Sequence, residues 1–572
     1  MDIIEKKISP FMKLLDQYRR LYIFLQGQTQ QPGLPSLAQA MHCSERNMRN
    51  LLAKMQQQGW LHWQAGRGRG NHSQLDFLQT PDTLALDHLS HLLARGDLEH
   101  AFASLEDGQR QQLAMRLPEY LGVPDAACRS LRMPLFRKVE SLDPLKVYGR
   151  LEAHLVRQIF SRLTTFDHQQ NALMPAIAHH WESEKNATVW HFWLRPGLSF
   201  HDGMELGVED VKASFLRLRD ESAIYQRLYR HLQHVETGPS RRVSFYLEHP
   251  DQLWPHCLAT ANSSIVPRHR NADFERFPVG SGAFRVIRNN TYQLTLQAFK
   301  DYYRERPLLD EIDLWMLPPP SGPSGFDLQF GYANEDCTKK QTVAGAESGC
   351  TYIICNPCRN AFKTVEQRLA LADWLAPEML IDPNERSRKA ASGLLAIWKH
   401  RVAKKTRCSS FKAGCKLRMV SGQTQEMLSL AATIKQRLEA GGVNVIWTSL
   451  PFDQLLARDW MKDADLVVTR EVMHDDQDFG CYEWFAADSV FRRWMPDTAL
   501  KHIDLDLMKI KTLPDSKRRM LAYARIGKRL VQEGWLIPIS HENQQVSIAP
   551  HVAGVRMTPF GFVSFDEMWL RQ

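Results

Sequence analysis

The stretch Cys43–Gly70, CSERNMRNLLAKMQQQGWLHWQAGRGRG, changes its hydrophobic period halfway along, and that change decides the fold of the N-terminal end. Met48, Leu51, Leu52 and Met55 fall at i, i+3, i+4 and i+7, the spacing of one inward helix face, with Ser44 as the cap before it and Gly59 as the stop. Beyond Gly59, WLHWQA and SQLDFL alternate apolar and polar residues like paired strands, around the loop GRGRGNH. Upstream, Phe11–Phe24 repeats Met12, Leu15, Tyr18 and Tyr22 at a helical period, and after the breaker QQPGLP the run SLAQAMHC reads as a short helix capped by Ser36. Three helices followed by a hairpin give the order of a winged helix-turn-helix over 1–80.

The chemistry of this unit lies on the polar side of its third helix. Opposite the buried face stand Arg46, Asn50 and Gln57, flanked by Asn47, Arg49 and Lys54. Arginine and asparagine can each make paired hydrogen bonds to base edges, and lysine suits phosphate. A solvated helix face has the same composition; the hairpin behind it is what favours DNA. In a winged helix the third helix enters the major groove and the hairpin tip lies against the backbone or minor groove, where Arg67 and Arg69 would meet negative potential. Gly66, Gly68 and Gly70 let that tip turn and approach phosphate closely. The candidate duplex contacts are Ser44, Arg46, Asn47, Arg49, Asn50, Lys54, Arg67, Arg69, Asn71 and His72. The charge agrees: Met1–Thr80 holds ten Lys and Arg against five Asp and Glu, so +5 of the net +8 sits in this segment.

At 572 residues the chain is too long for a single core, and 44% hydrophobic with 24% charged residues is ordinary for a folded, multidomain protein. The start, MDIIEKKISPFMKLLDQ, is broken by charge every few residues, and no stretch reaches the roughly 18 uncharged apolar residues of a membrane span. The expectation is a cytoplasmic protein without membrane contact. Ten irregularly spaced cysteines fit reduced thiols better than a disulfide framework. Pro81–Ser130 reads as a helical connector over 81–130, broken at Gly96, Gly108 and Pro118–Gly122, with Leu89, Leu92, Leu93 and Leu98 on apolar faces that could also pair two copies into a homodimer.

From LRMPLFRKVESLDPL onward, short strand-like runs alternate with amphipathic helices, the pattern of α/β lobes. MPAIAHHWESEKNATVWHFWLRPGLSFHDGMELGVEDVKASFLRL (Met174–Leu218) and PVGSGAFRVIRNNTYQLTLQAFKDYYRERPLLDEIDLWMLP (Pro278–Pro318) resemble family 5 extracellular solute-binding proteins, the peptide and nickel binders of bacterial importers. Further matching runs, TYIICNPCRNAFKTVEQRLALADWL, SLAATIKQRLEAGGVNVIWTSLPFDQLL and VAGVRMTPFGFVSFDEMWL, follow in the family's order, so the resemblance covers roughly 131 to 572. A winged helix ahead of such a domain resembles the SgrR-like regulators, cytoplasmic transcription factors whose best-known member responds to sugar-phosphate stress. The resemblance implies a two-lobed α/β domain of the type II periplasmic-binding-protein class, with lobe one at 131–349 returning at 536–572 and lobe two at 350–535. It also implies double-stranded DNA and a small solute, a sugar phosphate or related metabolite, as partners.

The solute contacts are less legible. In the family's peptide binders an acidic residue before the segment corresponding to HDDQDF pairs with the ligand's amino group; aligned on Phe479, that position is Val472 here, with Glu471 beside it. A peptide-type anchor does not carry over, and the ligand class stays open. Glu471, Asp475, Asp478, Trp484 and Trp398 are the candidate ligand contacts, although a run such as Asp475, Asp476 and Asp478 is more often a solvated loop, and tryptophans such as Trp254 are more often core. The basic run Trp398–Lys416 could attract phosphate but reads first as a surface loop. Cys355 and Cys358 form a C-x-x-C without a second ligand pair, so no metal and no cofactor is expected. His201–Gly203 and Gly280–Gly282 read as turns. No G-x-S-x-G, H-E-x-x-H or Walker loop is present, which leaves an enzyme reading without residues to carry it. The competing readings are a carrier or scaffold that binds solute inside the cell without recognising DNA, and an importer's substrate-binding component.

Overall fold

The computed structural model describes residues 10–28, 31–66, 73–94, 101, 129–135, 137–222, 225–317, 326–330, 341–385, 387–401 and 415–571. The chain divides into two compact units: Met1–Ala126 with the short segments 290–292 and 317–325, and the remainder.

In the N-terminal unit α1 (Pro10–Phe24), α2 (Leu34–Ala40), α3 (Glu45–Gln57) and the antiparallel strands β1 (Leu61–Gln64) and β2 (Gln74–Phe77) follow in the expected order, and α4 (Pro81–Ala94) comes next. Ser44 caps α3 by accepting from the backbone N–H of Asn47 at 3.2 Å, and Gly59 turns the chain out of the helix with φ +71°. The start of α2 differs from expectation. Gly33, not Ser36, is its N-cap, because Pro35 in the first turn presets the helical backbone and leaves Ser36 inside it. Met48, Leu51, Leu52 and Met55 are buried with Leu15, Tyr18, Leu21, Trp60 and Leu75 in one core, and Leu84 of α4 joins them. The first connector helix therefore packs onto the winged helix rather than hanging free. The breakers Gly96, Gly108 and Pro118–Gly122, and Leu98, lie outside the described residues.

Tyr18 ties α1 to both ends of the hairpin. Its hydroxyl lies 2.7 Å from the carbonyl oxygens of Trp60 and of Gln79, which precede β1 and follow β2, and its ring meets Trp60 and Phe77 edge-on.

The larger unit is built on three main sheets. One has the order β6 (Ala178–Glu184), β7 (Val189–Leu194), β9 (Arg242–Leu247), β8 (Leu232–Gly238), and is antiparallel throughout. A second runs β10 (Phe284–Asn289), β11 (Gln293–Ala298), β12 (Glu311–Met316), β3 (Ser130–Leu135), the last pair parallel; β4 (Thr164–Asp167) and β5 (Ala172–Pro175) form a separate hairpin. The third has the order β13 (Leu328–Phe330), β20 (Leu536–Ile548), β15 (Gly349–Cys355), β19 (Leu466–Val472), β17 (Lys416–Gly422), β18 (Asn444–Leu450), with β14 (Gln341–Ala346) and β16 (Arg388–Ala390) also on β20. Strand β20 links two cores: Ile537 and Ile539 pack with Ile353 and Val468, whereas Val546 and Ile548 pack with Leu131 and Ile312. Gly280 and Gly282 sit where a side chain has no room, since a Cβ would come within 2.0 Å of the Ile159 carbonyl oxygen and 2.4 Å of that of Gln158. Gly203 turns with φ +85°. Among the described residues no helix is long and apolar enough to cross a membrane.

Replacing Tyr18 with phenylalanine is expected to remove the one hydroxyl donor shared between the Trp60 and Gln79 carbonyls and to destabilise the winged-helix unit by about 1 kcal/mol. Thermal unfolding followed by the near-ultraviolet signal of Trp60 and Trp63 reads this out; an unchanged transition would contradict the role assigned to the hydroxyl.

Candidate nucleic-acid interface and solute cleft

Burial of one side of α3 decides what the other side presents. Ser44, Arg46, Asn47, Arg49, Asn50 and Lys54 are all exposed. Ser44 is engaged as the cap, and Arg49 lies 3.8 Å from Glu45 in a solvent-exposed pair of little energetic weight. The side chains of Arg46, Asn50 and Lys54 have no hydrogen-bond or ion-pair partner among the described residues. Gln56 accepts from the backbone N–H of Trp63 at 2.8 Å, which fixes the base of the hairpin against α3. Arg67, Arg69, Asn71 and His72, with Gly68 and Gly70, lie outside the described residues.

In the larger unit the segment after β19 meets the helix Arg150–Ile159, His256, Phe560 and the helix Ser516–Gln532. Nearly every charge there has a counter-charge. Glu347 binds Arg150 at 2.8 Å and also Arg470; Arg157 binds Asp475 at 3.0 Å; Arg519 grips Asp478 with its nearest contact at 2.6 Å. Asp476 caps the helix Gln477–Ala486 and holds His256 at 2.5 Å. The three aspartates are thus not a solvated loop. All are taken up by long-range partners, Asp475 also accepting from the backbone N–H of Phe560, which leaves no open carboxylate for a sugar hydroxyl. Trp484 is buried, its indole N–H directed at the Tyr352 hydroxyl at 3.3 Å. Trp398 is buried and stacked on His400, and Trp254 is enclosed by Phe215, Tyr229 and Phe245. Both sit in packed core.

Glu471 is the exception. It is half-buried, and its carboxylate has no hydrogen-bond or ion-pair partner among the described residues. Burial, reinforced by the nearby Glu483 carboxylate, pushes Glu471 up to about 7 against the opposing influence of His474 and Arg150. Val472 beside it is buried in the core of the second sheet. Cys355 is buried and Cys358 exposed, and among the described residues no group of His, Cys, Asp and Glu is arranged to hold a metal. Most of the basic run, 402–414 with Cys408, lies outside the described residues.

A separate cavity of about 460 Å³ opens at the flank, lined among others by Arg227, His231, His249, Tyr482, Met508 and Lys511. Its strongest charges are matched internally: Arg227 with Asp504 at 2.9 Å and Lys511 with Asp251 at 2.7 Å. Neither of these two pairs is legible from sequence, because the members of each lie more than two hundred positions apart.

Burial alone would raise the Asp251 carboxyl, but the Lys511 ammonium and His231 override it and hold it at about 2, below the ordinary 3.8. A depressed acid contributes stability above the unfolded value and loses it as pH falls toward the folded one. Lys511→Met is expected to destabilise the unit by about 3 kcal/mol at neutral pH, as removal of one partner of a buried pair does. Wild type and variant should converge as pH falls from about 4 to about 2. Thermal melts at neutral and acid pH check this, and a difference independent of pH would contradict it.

Two family models match the chain: the sugar transport-related sRNA regulator N-terminal domain over residues 13–125, and the middle region of bacterial extracellular solute-binding proteins, family 5, over residues 172–373. The HTH-type transcriptional regulator SgrR of Yersinia pseudotuberculosis is 29% identical, across 97% of this chain and 98% of that protein. YbaE of Escherichia coli K12 is 27% identical over the same shares. Among solved structures, a dipeptide-binding protein from Pseudoalteromonas in complex with Met-Leu superposes with a TM-score of 0.69 at 16% identity, covering 77% of this chain and 100% of that one. NikA from Staphylococcus aureus in complex with Ni(L-His)2 gives 0.66 at 15% identity, again over 77% and 100%. These establish the fold of the larger unit. Both family models match in order and the regulators are similar from end to end, so the chain carries an SgrR-type N-terminal domain followed by a family 5 solute-binding domain.

Proposed function

We propose that this chain is a cytoplasmic, DNA-binding transcriptional regulator whose solute-binding domain sets its activity by binding a small molecule. The observation that carries this is the presentation of Arg46, Asn50 and Lys54, unpartnered among the described residues, on a helix whose opposite face is locked into a core. Arg46 and Asn50 are assigned to base edges, Asn47, Arg49 and Lys54 to phosphates, and Arg67, Arg69, Asn71 and His72 to the backbone or minor groove at the hairpin tip. Ser44 acts by fixing the start of the helix. The lobes, 131–349 with 536–572 and 350–535, close on a solute near Glu471. A solute that binds the closed form more tightly shifts the population by that difference in affinity, and the DNA-binding unit responds through its orientation or through pairing of two copies. The role is binding rather than catalysis.

The test is fluorescence anisotropy of the full chain on duplex DNA from upstream of its own gene. Arg46→Ala and Asn50→Ala are each expected to weaken binding by about 1–3 kcal/mol and to relax base preference. Lys54→Ala should weaken all duplexes alike and lower the salt slope by about one. Unchanged affinity in all three variants would contradict the assignment.

A further inference from the structure

We propose that the flank cavity is a second ligand site and takes a small organic monoanion, its carboxylate head on Arg227 and Arg230 and its short apolar body against Leu507 and Met508. Glu471 does not line this cavity, so the site is separate from the solute cleft proposed above and does not rest on it.

Helical spacing decides what two of the walls present. Asp504, Leu507, Met508 and Lys511 fall at i, i+3, i+4 and i+7 of the helix Asp497–Lys511, so a single stripe of that helix lines the space. Leu507 is buried and Met508 is 49% exposed, which gives the stripe an apolar middle between charged ends. Arg227 and Arg230 stand three apart, in and just after the helix Gln226–Tyr229, and line the same space. Glu248, His249 and Pro250, which follow β9, complete the lining on that side of the chain. Hydrogen bonds join the segments and hold the opening in shape: Arg227 Nε donates to the Ala486 carbonyl at 3.1 Å, and the Gln252 N–H to the Lys511 carbonyl at 2.8 Å. The volume of about 460 Å³ falls within the roughly 300–1,000 Å³ of small-molecule sites.

The charge balance decides the sign of the ligand. Asp504 is shared by two arginines, Arg227 at 2.9 Å and Arg492 at 2.6 Å. Lys511 and the buried Asp251 answer each other at 2.7 Å, with His231 on the same carboxylate at 2.9 Å. Glu248 is exposed and meets only His249, at 3.8 Å, among the described residues, where the Arg230 side chain has no hydrogen-bond or ion-pair partner. Around the space, Arg227, Arg230, Arg492 and Lys511 thus stand against Asp504, Asp251 and Glu248, a surplus of one positive charge. An ammonium would find Asp504 already doubly engaged and Asp251 enclosed, and would gain only the solvated Glu248. A carboxylate finds the Arg230 guanidinium and Nη1 of Arg227 without acceptors, and it breaks no buried pair to reach them. The planar guanidinium suits that head, since its two parallel N–H groups match two carboxylate oxygens.

Thermal shift on the full chain tests this, with benzoate and hexanoate against hexylamine and inorganic phosphate, each to about 10 mM at constant ionic strength. At least one carboxylate should raise the melting temperature in a titratable way. Two variants at exposed positions locate the effect. Arg230→Gln removes the guanidinium and should cost tenfold or more in affinity for that carboxylate. Met508→Trp keeps every charge but fills the space beside Leu507, and it should abolish the shift. The absence of a shift with both carboxylates would overturn the inference, as would a shift left unchanged by either variant. Equal stabilisation by hexylamine or by inorganic phosphate would overturn it as well, because the site would then lack the sign or the apolar wall assigned to it.

Discussion

A charge removed from water must meet a counter-charge, shift its proton, or wait for a partner from outside. That constraint organises the larger unit. The pairs Arg150–Glu347–Arg470 and Arg157–Asp475 tie the end of β19 and the segment after it to the helix Arg150–Ile159, Arg519–Asp478 ties that segment to the helix Ser516–Gln532, and Lys511–Asp251 ties the helix Asp497–Lys511 to the turn after β9. At Glu471, which has no hydrogen-bond or ion-pair partner among the described residues, the carboxyl shifts its proton instead, whereas Arg46 and Lys54 stay in water on the outer face of α3 and escape the constraint.

The N-terminal unit was legible in the sequence because its signals are local. A helix needs its apolar residues three and four apart and a cap within three residues, and Met48, Leu51, Leu52, Met55 and Ser44 satisfy both within a dozen positions. The error at α2 has an equally local cause: Ser36 looked like a cap, but Pro35 had already begun the helix. What local pattern could not supply was the hydroxyl of Tyr18, which reads as one more apolar residue of α1 and yet has its single proton within reach of two backbone carbonyls, 42 and 61 residues away.

In the solute-binding domain the fold was readable from an ordered series of family-like runs, and the site was not. Asp475, Asp476 and Asp478 have the composition of a surface loop, and only the arrival of Arg157, His256 and Arg519 from distant segments makes them interior. Trp484, Trp398 and Trp254 followed the commoner fate of large aromatics and went into the core. Glu471 was singled out merely as the neighbour of Val472. Its distinction, a half-buried carboxylate without a hydrogen-bond or ion-pair partner among the described residues, is a property of three dimensions, since strand alternation gives the face it occupies but not what stands opposite.

The account as a whole requires that a solute in the cleft and a duplex on α3 act on one equilibrium. Coupling of that kind is reciprocal, because each ligand must change the other's affinity by the same factor. The most direct measurement is therefore duplex affinity of the full chain with and without a saturating solute that stabilises it, paired with that solute's affinity with and without the duplex. Equal factors of about five or more, in either direction, are the predicted result. Two affinities indifferent to the other partner would contradict the account.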